Sequence, residues 1–551
     1  MRTQSVTATI THAVTVAAGV FAPGHLGELT QYLPFELVDD VLARTKTVQR
    51  RLRLLPSRAG VYFVLALGMF PHLGYARVWG KLTAGLAGLG LPRPSEKALR
   101  DLRRRLGPAP LKALFEVVAG PLAQPHTPGV RFGGLRTVAF DGCNSVKIPD
   151  TERNRSWIGR IRYRMSWAGY PTLRLMALVE TGTRALLGAT VGSVTDRDET
   201  ALATRLLPLL RPGMLVLLDR GFDAGWFFAD ISRTGAMLLC RACSSRNPQV
   251  REHLPDGSYL SCLDGLTVRI IEAGVTATGA DGTRITGSYR LITTLTDHRA
   301  FPAAALIRLY HERWEIETAF LALRHTLLNG RVLRSGDRPG VEQELWALLT
   351  LYQLLRMAMV TAVESSPGTN PDRASFTTAL EAAKDQLTAA HGIYPGEPAD
   401  LPGAIGRAVL ATLLPARRPR YSARKIKAPT SRYQARDDTR PRVTTRITTI
   451  GITITTPPLD LRRRRPRPRP GQPRPPQPPT RRQRVTALMT TDPHRAWTGQ
   501  ELAAQLQIKP HNLLTQLAEW ARQGFLTNVD YGTYALNALP TDTASTTAPD
   551  P

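Results

Sequence analysis

Cysteine is scarce in this chain, with four residues among 551. A disulfide framework is therefore excluded as the source of stability, and so few thiols in a long chain indicate a reducing compartment. Cys240 and Cys243 form one C-x-x-C pair, but no second pair and no histidine pair stands at metal-ligand spacing. Because apolar residues lead into this pair, we predict a partly buried strand there, and no structural zinc or redox site.

Acidic residues are also few, since 72 Lys and Arg residues outnumber 44 Asp and Glu residues and give the chain a net charge of +28. Such an excess attracts polyanions, and nucleic acid is the expected partner. An anionic membrane surface is the alternative. No apolar run in the sequence approaches the length of a spanning helix, so we expect no membrane partner.

A secretory signal is a further feature that the sequence does not favour. Residues Ala13 to Ala22 are fairly apolar, but Thr15 interrupts them and Arg2 is the one charged side chain before them. A signal needs a basic segment followed by an uninterrupted apolar one, so we predict an ordinary helix.

The chain does contain a long predicted helix, from Pro302 to Leu328. A first-turn proline is tolerated, no other proline or glycine follows within the segment, and Gly330 lies where a C-terminal cap would sit. At about 100° per residue, four polar side chains fall on one narrow stripe. They are Tyr310, Arg313, Glu317 and Arg324.

This polar stripe has two interpretations. A solvated helix face mixes charges in the same way. Because Leu306 and Leu321 lie within or beside the stripe, however, we predict that it faces the protein, where charges need partners or a role. A carboxylate able to hold a metal, flanked by cations able to hold phosphate, is such a role.

Two further carboxylates follow strand-like segments. Asp141 comes after the β-prone residues 135–140, and Asp219 comes after the apolar residues 214–218. Singly, an aspartate near a glycine after a strand usually marks a turn. Two such aspartates, followed later in the chain by the Glu317 helix, form a less common pattern than a single turn. The neighbouring acids Asp196 and Asp198 are predicted to form a solvated turn.

Together these residues resemble the active-site pattern of DDE transposases of the insertion sequence 4 family. The spacing from Tyr310 through Arg313 and Glu317 to Arg324 is similar to the family's Tyr-Arg-Glu-Lys signature, with Arg324 in place of the usual lysine. That change keeps the positive charge but replaces the compact ammonium group of lysine by the planar guanidinium group of arginine. Asp219 lies 78 residues after Asp141 and 98 before Glu317, and family members carry a β-rich insertion in the longer gap.

The resemblance implies an α/β fold with a ribonuclease H-like catalytic core. The implied domains are an all-α DNA-binding domain in residues 1–130 and the catalytic domain in residues 131–415, with its β-rich insertion at about 235–300. Residues 416–480 are predicted to be a basic, disordered linker. Pro457 to Arg484, a segment that includes the end of this linker, holds ten prolines, ten arginines and a single acid.

The C-terminal residues 481–540 read as three short helices and a hairpin, with a capping box at Thr498 to Glu501. This order resembles a winged helix-turn-helix. Such modules bind DNA or other proteins, and DNA is favoured here. Residues 541–551 are predicted to be a disordered tail.

The resemblance also implies a reaction. Asp141, Asp219 and Glu317 would be the catalytic residues and would hold two Mg²⁺ or Mn²⁺ ions, which suits oxygen ligands. Tyr310, Arg313 and Arg324 would bind DNA phosphates near the cleaved end. Water would nick the DNA at the element's end, and the freed 3′-hydroxyl would then attack target DNA.

The partners that the resemblance implies are double-stranded DNA, both the transposon ends and the target, and a second copy of the chain in a homodimer on that DNA. The expected location is the bacterial cytoplasm, at the nucleoid. Two other functions share parts of the pattern. They are a metal-dependent DNA nuclease without strand transfer, and a non-catalytic DNA-binding protein derived from a transposase.

A basic and aromatic stretch between the two aspartates has two open interpretations. Its composition is suited to DNA binding, and it is equally suited to a solvated basic loop. The residues concerned are Arg153, Arg155, Trp157, Arg160, Arg162, Tyr163, Arg164 and Trp167.

Overall fold

The fold is known from a computed structural model. It describes residues 25–51, 54–86, 91–159, 169–193, 196, 198–243, 245–312, 316–390, 402–415, 420–421, 445–457, 480–508, 510–522, 524–530 and 532–537. Several predicted features lie outside the described residues: the Ala13 to Ala22 helix, the stretch from Arg160 to Trp167, most of the Pro/Arg-rich linker and the tail. The chain divides into two compact units, Met1–Asp460 and Leu461–Pro551.

The first unit begins with helices. Between residues 25 and 118 the described α-helices are α1 (Phe35–Arg44), α2 (Ser57–Met69), α3 (Tyr75–Thr83), α4 (Glu96–Leu106) and α5 (Ala109–Val118). In α4 the leucines recur at helical spacing on the buried side, the Ser95 hydroxyl caps the first turn, and Gly107 ends the helix at a φ of 65°. Helix α2 is buried along nearly its whole length, so the other helices pack around it.

The first unit then forms a mixed α/β structure around a large sheet. The described strands are β1 (Arg131–Phe132), β2 (Leu135–Lys147), β3 (Thr172–Glu180), β4 (Leu186–Gly192), β5 (Met214–Leu218), β6 (Met237–Arg241), β7 (Glu252–His253), β8 (Tyr259–Leu263), β9 (Leu266–Gly279), β10 (Arg284–Thr293), β11 (Arg420–Tyr421) and β12 (Thr445–Ile454). Their main order is β11-β12-β9-β10-β6-β5-β2-β3-β4. Strands β2, β5 and β6 run parallel, whereas the other pairs are antiparallel.

Helices cover both faces of this sheet. The described ones after α5 are α6 (Glu152–Ile158), α7 (Glu199–Thr204), α8 (Gly225–Arg233), α9 (Ala303–Glu312), α10 (Ile316–Leu321), α11 (Arg338–Glu364), α12 (Phe376–Ala389) and α13 (Gly403–Ala411). The central strands contribute side chains to two hydrophobic cores. Ala139 and Leu217 face the core that also holds the N-terminal helices, α9 and α11, whereas Phe140 and Leu218 face the core that holds α7 and α8. The alternation follows from the two-residue period of a strand.

Helix α11 corrects one expectation. It is the one described helix that is long and apolar enough to cross a membrane by length and composition, although the sequence analysis found no such run. Of its most apolar stretch, 89% is buried inside the protein. It is a core helix whose apolar surface is covered by its neighbours.

The insertion is β-rich as predicted, and its Asp281-Gly282 turn joins β9 to β10. Strand β12 was not expected, because residues 416–480 were predicted to be disordered throughout. That prediction is wrong for Thr445–Ile454, which pair with β9. The segment is rich in isoleucine and threonine, and such β-branched residues favour a strand when an edge is available.

The second unit contains α14 (Arg481–Thr490), β13 (Trp497–Thr498), α15 (Gly499–Gln505), α16 (Pro510–Arg522), β14 (Leu526–Asp530) and β15 (Thr533–Leu536). The three predicted helices and the hairpin are confirmed, and β13 joins the hairpin in a three-stranded sheet. The capping box is also confirmed, since Glu501 N donates to Thr498 Oγ1 at 3.2 Å and Thr498 N donates to Glu501 Oε2 at 2.9 Å.

Candidate active site

Asp141 and Asp219 come together through the parallel pairing of β2 and β5. Ala139 of β2 lies opposite Leu217 of β5. Asp219 keeps an extended backbone, with a φ of −78° and a ψ of 168°, so the same register continued by two residues sets Asp141 opposite Asp219. Neighbouring strands lie about 4.8 Å apart, and the two carboxylates therefore start from adjacent backbone positions.

Both aspartates point to the same face of the sheet. Ala139 and Leu217, two residues before each aspartate, belong to the core that includes Leu306 and Phe320 of the predicted catalytic helix. Side chains two residues apart in a strand share a face. The two carboxylates thus lie on the side of the sheet that α9 and α10 cover, and each is half-buried.

Each aspartate is also held by a backbone amide. Asp141 Oδ1 accepts a hydrogen bond from Gly142 N at 3.0 Å. Asp219 Oδ1 accepts one from Gly221 N and thereby caps the short 3₁₀ turn Arg220–Phe222. Such a bond leaves further oxygen lone pairs of each carboxylate for a cation.

The predicted long helix is not regular. It is α-helical in α9 and α10, residues 313–315 lie outside the described part, and Ala322–Leu327 form a π-helix. A π-helical turn takes more residues than an α-helical one, so the rule of 100° per residue fails before Arg324. Leu321, which directly precedes the π-helix, is 44% exposed, although the helical wheel predicted that it faces the protein.

Glu317 lies in α10, and this helix contacts β2, the strand of Asp141. The orientation of its side chain is not among the described features, and Arg313 lies outside the described residues. Among the side chains that are described, no three carboxylate, histidine or cysteine groups converge on one point. The backbone brings the Glu317 helix to the strand of Asp141, and the third carboxylate stays a prediction.

Tyr310 lies in α9 and is buried, with 4% of its surface exposed. Its hydroxyl donates to the carbonyl of Leu218 at 3.1 Å. Leu218 is the last residue of β5 and directly precedes Asp219. The side chain therefore ties the predicted catalytic helix to the strand end that carries the second aspartate.

Arg324 is tied to the other strand. Its Nη1 donates to Ser145 Oγ of β2 at 2.7 Å, and its Nε donates to the Phe320 carbonyl at 3.4 Å. Ser145 was missed by the sequence analysis, because no motif distinguishes it and a bulge in the pairing of β2 with β3 between Cys143 and Val146 sets its direction.

The chemistry of the two described carboxylates fits a hard divalent cation. Both offer oxygen atoms from neighbouring strands. Sulfur atoms also lie near Asp219, in the C-x-x-C pair, whose Cys240 lies in β6 and is buried. The predicted partly buried strand is confirmed there. Burial raises the pKa of the Cys240 thiol well above its ordinary range.

The other acids have structural partners, and the prediction of a solvated turn is wrong for Asp196. That residue is buried, pairs with Arg205 and accepts from Ser193 N at 2.6 Å. Asp198 caps α7. Its neighbour Glu199 accepts a hydrogen bond from Asn144 Nδ2 at 2.9 Å. A Cβ added to Gly142 would lie 2.7 Å from Glu199 Oε1. Glu199 therefore occupies the face of β2 opposite to Asp141.

The basic and aromatic stretch is only partly described. Trp157 is 8% exposed, and the guanidinium of Arg338 lies 5.1 Å from the centre of its ring. Arg153 and Arg155 are exposed. The tryptophan thus packs inside the protein, and only the two arginines are open to solvent in the described part.

Comparisons with known proteins agree with this arrangement. Residues 23–116 match the family model of the insertion element 4 transposase N-terminal domain, and residues 137–354 match that of the transposase DDE domain. The second range includes both aspartates and the whole Tyr310 to Arg324 segment.

Individual relatives are also named as transposases. The chain is 28% identical over 413 residues to Transposase InsG for insertion sequence element IS4 of Escherichia coli (strain K12), covering 73% of this chain and 92% of that protein. It is 29% identical over 157 residues to Putative transposase y4zB of Sinorhizobium fredii (strain NBRC 101917 / NGR234), covering 27% of this chain and 44% of that protein. It is 28% identical over 193 residues to Putative transposase InsZ of Escherichia coli (strain K12), covering 35% and 62%. The chain belongs to the insertion sequence 4 family of DDE transposases, enzymes that act on DNA.

Proposed function

We propose that this transposase cleaves DNA at the ends of its insertion sequence and joins the freed 3′-hydroxyl ends to target DNA, with Asp141, Asp219 and Glu317 as catalytic residues. The observation that carries the proposal is the register of β2 and β5, which pairs Ala139 with Leu217 and, extended by two residues, sets Asp141 opposite Asp219 on the face that α9 and α10 cover. A pair of carboxylates at adjacent strand positions, with a third on a helix above them, is suited to bind divalent cations in a phosphoryl-transfer site.

The three carboxylates would hold two Mg²⁺ or Mn²⁺ ions. When bound, the ions supply charge that favours the attacking and leaving oxygens of an in-line displacement at phosphorus. The carboxylates fix where that charge lies. The amides of Gly142 and Gly221, each bound to one oxygen of an aspartate, orient the two carboxylate planes. The guanidinium groups of Arg313 and Arg324 would hold DNA phosphates beside them.

The substitution of arginine for the family's usual lysine is compatible with this role. Two donors of Arg324 are used within the protein, by Ser145 and by the Phe320 carbonyl. A guanidinium has five N–H donors, so the side chain can keep these two bonds while it binds a phosphate. A lysine at this position would have a single donor atom for the same tasks.

The remaining architecture fits the same proposal. We assign a ribonuclease H-like core to residues 131–415, a DNA-binding domain to the helices before residue 130, and a winged helix-turn-helix to residues 481–540. In the last module α15 and α16 would form the helix-turn-helix and β14 with β15 the wing. Double-stranded DNA is the substrate, a homodimer assembled on that DNA is the active form, and the bacterial nucleoid is the location.

The test is Mg²⁺-dependent cleavage and joining of DNA that carries the element's own ends. The wild-type protein is expected to cleave these ends and to join pre-cleaved ends to a target. Cleavage without joining would identify a nuclease without strand transfer. Binding of the ends without either step under Mg²⁺ or Mn²⁺ would identify a non-catalytic DNA-binding protein and would refute the proposal.

A further inference from the structure

The turn that carries Asp219 receives three side-chain donors on three successive carbonyl groups. Tyr310 Oη donates to Leu218 O at 3.1 Å, Cys240 Sγ to Asp219 O at 3.5 Å, and Cys243 Sγ to Arg220 O at 3.4 Å. We call these three side chains the turn clamp. They come from α9 and from the end of β6, so residues far apart in the sequence meet at one turn.

The tyrosine is the strongest member of the turn clamp. Its hydroxyl is buried and bonded to a carbonyl, and its ring packs edge-on against Tyr289 of β10 with centroids 6.4 Å apart. The guanidinium of Arg241 lies 4.6 Å from the centre of the Tyr289 ring. The Tyr310 ring is thus fixed by the insertion, and its hydroxyl reaches β5 from a set position.

The two thiols are weaker donors than the hydroxyl, but each sulfur lies within 3.5 Å of its carbonyl oxygen. Cys240 Sγ also lies 3.5 Å from the Arg241 carbonyl, so its one proton is shared between two acceptors.

The far side of the turn is fixed by an ion pair. Arg246 Nε lies 2.6 Å from Asp223 Oδ1, and Cys243 N donates to Asp223 Oδ2 at 2.7 Å. The backbone after Asp219 is thereby anchored at Asp223 and at the C-x-x-C pair. What the turn clamp adds is control of the peptide groups on either side of Asp219 itself.

We propose that Tyr310, Cys240 and Cys243 are positioning residues for Asp219, which they hold in place for phosphoryl transfer through the carbonyls of its turn. The inference rests on the proposed function, because the position of Asp219 matters to the rate only if this carboxylate is catalytic. It gives Tyr310 a role inside the protein instead of the phosphate contact that the family resemblance implies. It also gives the C-x-x-C pair a function other than metal binding or redox chemistry.

The physical reason is that Asp219 lies just beyond the end of a short strand. Strand β5 ends at Leu218, so regular pairing with β2 and β6 does not fix the turn that follows. A catalytic carboxylate displaced by about 1 Å can cost roughly a hundredfold in rate. Three donors on successive peptide groups limit that displacement without using either oxygen of the carboxylate.

The test compares Tyr310→Phe with Tyr289→Phe. Both variants keep an aromatic ring in the same ring pair, but only the Tyr310 hydroxyl bonds to the Asp219 turn. No hydrogen bond links the Tyr289 hydroxyl to another described residue. For Tyr310→Phe the single-turnover cleavage rate at saturating protein should fall roughly tenfold, the half-saturating Mg²⁺ concentration should rise, and Tyr289→Phe should stay within about twofold of wild type.

Two readouts do not depend on activity. The Kd for end DNA, measured in EDTA, should stay within about twofold for Tyr310→Phe, because a positioning residue does not touch the phosphates. Amide hydrogen exchange in peptides that cover residues 215–225 should accelerate in Tyr310→Phe and not in Tyr289→Phe. A weaker Kd with an unchanged rate at saturation would show that the hydroxyl contacts DNA, and would overturn the proposal.

Cysteine variants test the other half of the turn clamp and keep the proposal falsifiable if Tyr310→Phe does not fold. Cys240→Ala should lower the rate by roughly threefold, and Cys240→Ser, which retains a donor, should restore it. Cys262→Ala is the matched control, since no hydrogen bond joins this thiol to another described residue. Equal losses in Cys240→Ala and Cys240→Ser would overturn the role of the thiol proton. If the wild-type protein itself fails to cleave end DNA, the proposed function fails first.

Discussion

Asp141 and Asp219 occupy neighbouring positions in the sheet, yet their backbones are supported in different ways. Asp141 lies inside β2, which continues to Lys147, and it pairs with Ala177 of β3. Asp219 lies one residue beyond the end of β5 and relies on Gly221 N and on the turn clamp. Ladder hydrogen bonds fix a strand residue without help from side chains, whereas a turn residue needs specific donors. The second aspartate should therefore be the more sensitive of the two to changes nearby.

Among changes to the residues that support the two aspartates, the largest effect is expected when two members of the turn clamp are removed together. Tyr310→Phe combined with Cys240→Ala should lower the single-turnover cleavage rate by roughly ten- to thirtyfold. Because both side chains act on the same turn, the combined loss should be smaller than the product of the single losses. A double-mutant cycle of the four rates measures this, and strictly multiplicative losses would show that the two groups act independently.

The next effect compares the glycine beside each aspartate. A Cβ on Gly221 would lie 3.3 Å from Asp219 Oδ1, so Gly221→Ala should displace the carboxylate and lower cleavage by roughly tenfold. A Cβ on Gly142 would meet the end of the Glu199 side chain, which is exposed, lies on the opposite face of β2 and can move at the cost of its hydrogen bond from Asn144. Gly142→Ala should keep cleavage within about twofold of wild type. Equal losses in the two variants would remove the distinction between strand and turn support.

A smaller effect is expected at Arg324, on the side of Asp141. Ser145→Ala removes one hydrogen bond of the guanidinium and should lower cleavage by about threefold, since the bond to the Phe320 carbonyl remains. Arg324→Lys should preserve cleavage and should make Ser145→Ala less costly. The four rates of Ser145→Ala, Arg324→Lys, the double variant and wild type check this, and a large loss in Arg324→Lys alone would contradict it.

The smallest effect concerns pH. The folded pKa of Cys240 is raised by burial, so the folded protein favours the protonated thiol. The stability that this thiol contributes is complete below the unfolded pKa of about 8.5 and declines as pH rises above it, since the unfolded state then releases its proton. Between pH 7.5 and 10 the thermal midpoint of wild type should fall slightly more than that of Cys240→Ala. An identical pH dependence of the thermal midpoint in both proteins would show that this thiol does not cause the loss of stability at high pH.

Much of this site was predictable from local patterns. The strands that end near Asp141 and Asp219 are apolar and β-prone, and the capping box at Thr498 carries its own signal, so β2, β5 and α15 were expected where they occur. Local patterns predict these elements because the periodicity of apolar side chains and the capping of a helix each depend on residues only a few positions apart.

Other features depend on contacts that no local pattern encodes. The opposition of Asp141 and Asp219 depends on the register of two strands separated by about 70 residues of chain. The π-helix before Leu328 alters the direction of Arg324, and a regular wheel does not foresee it. Strand β12 needs the edge of β9 as its template. No local pattern predicts the turn clamp, because a C-x-x-C pair indicates metal or redox chemistry and the family's tyrosine indicates a phosphate contact.

The central claim is that Asp141, Asp219 and Glu317 form one active site. The most direct measurement is cleavage and joining of end DNA by Asp141→Asn, Asp219→Asn and Glu317→Gln beside wild type, with end-DNA binding measured in parallel. Each substitution keeps shape and removes charge, so each variant should bind the ends as wild type does and should lose at least roughly a thousandfold in both steps. Near-wild-type cleavage by any one of the three variants would contradict the account.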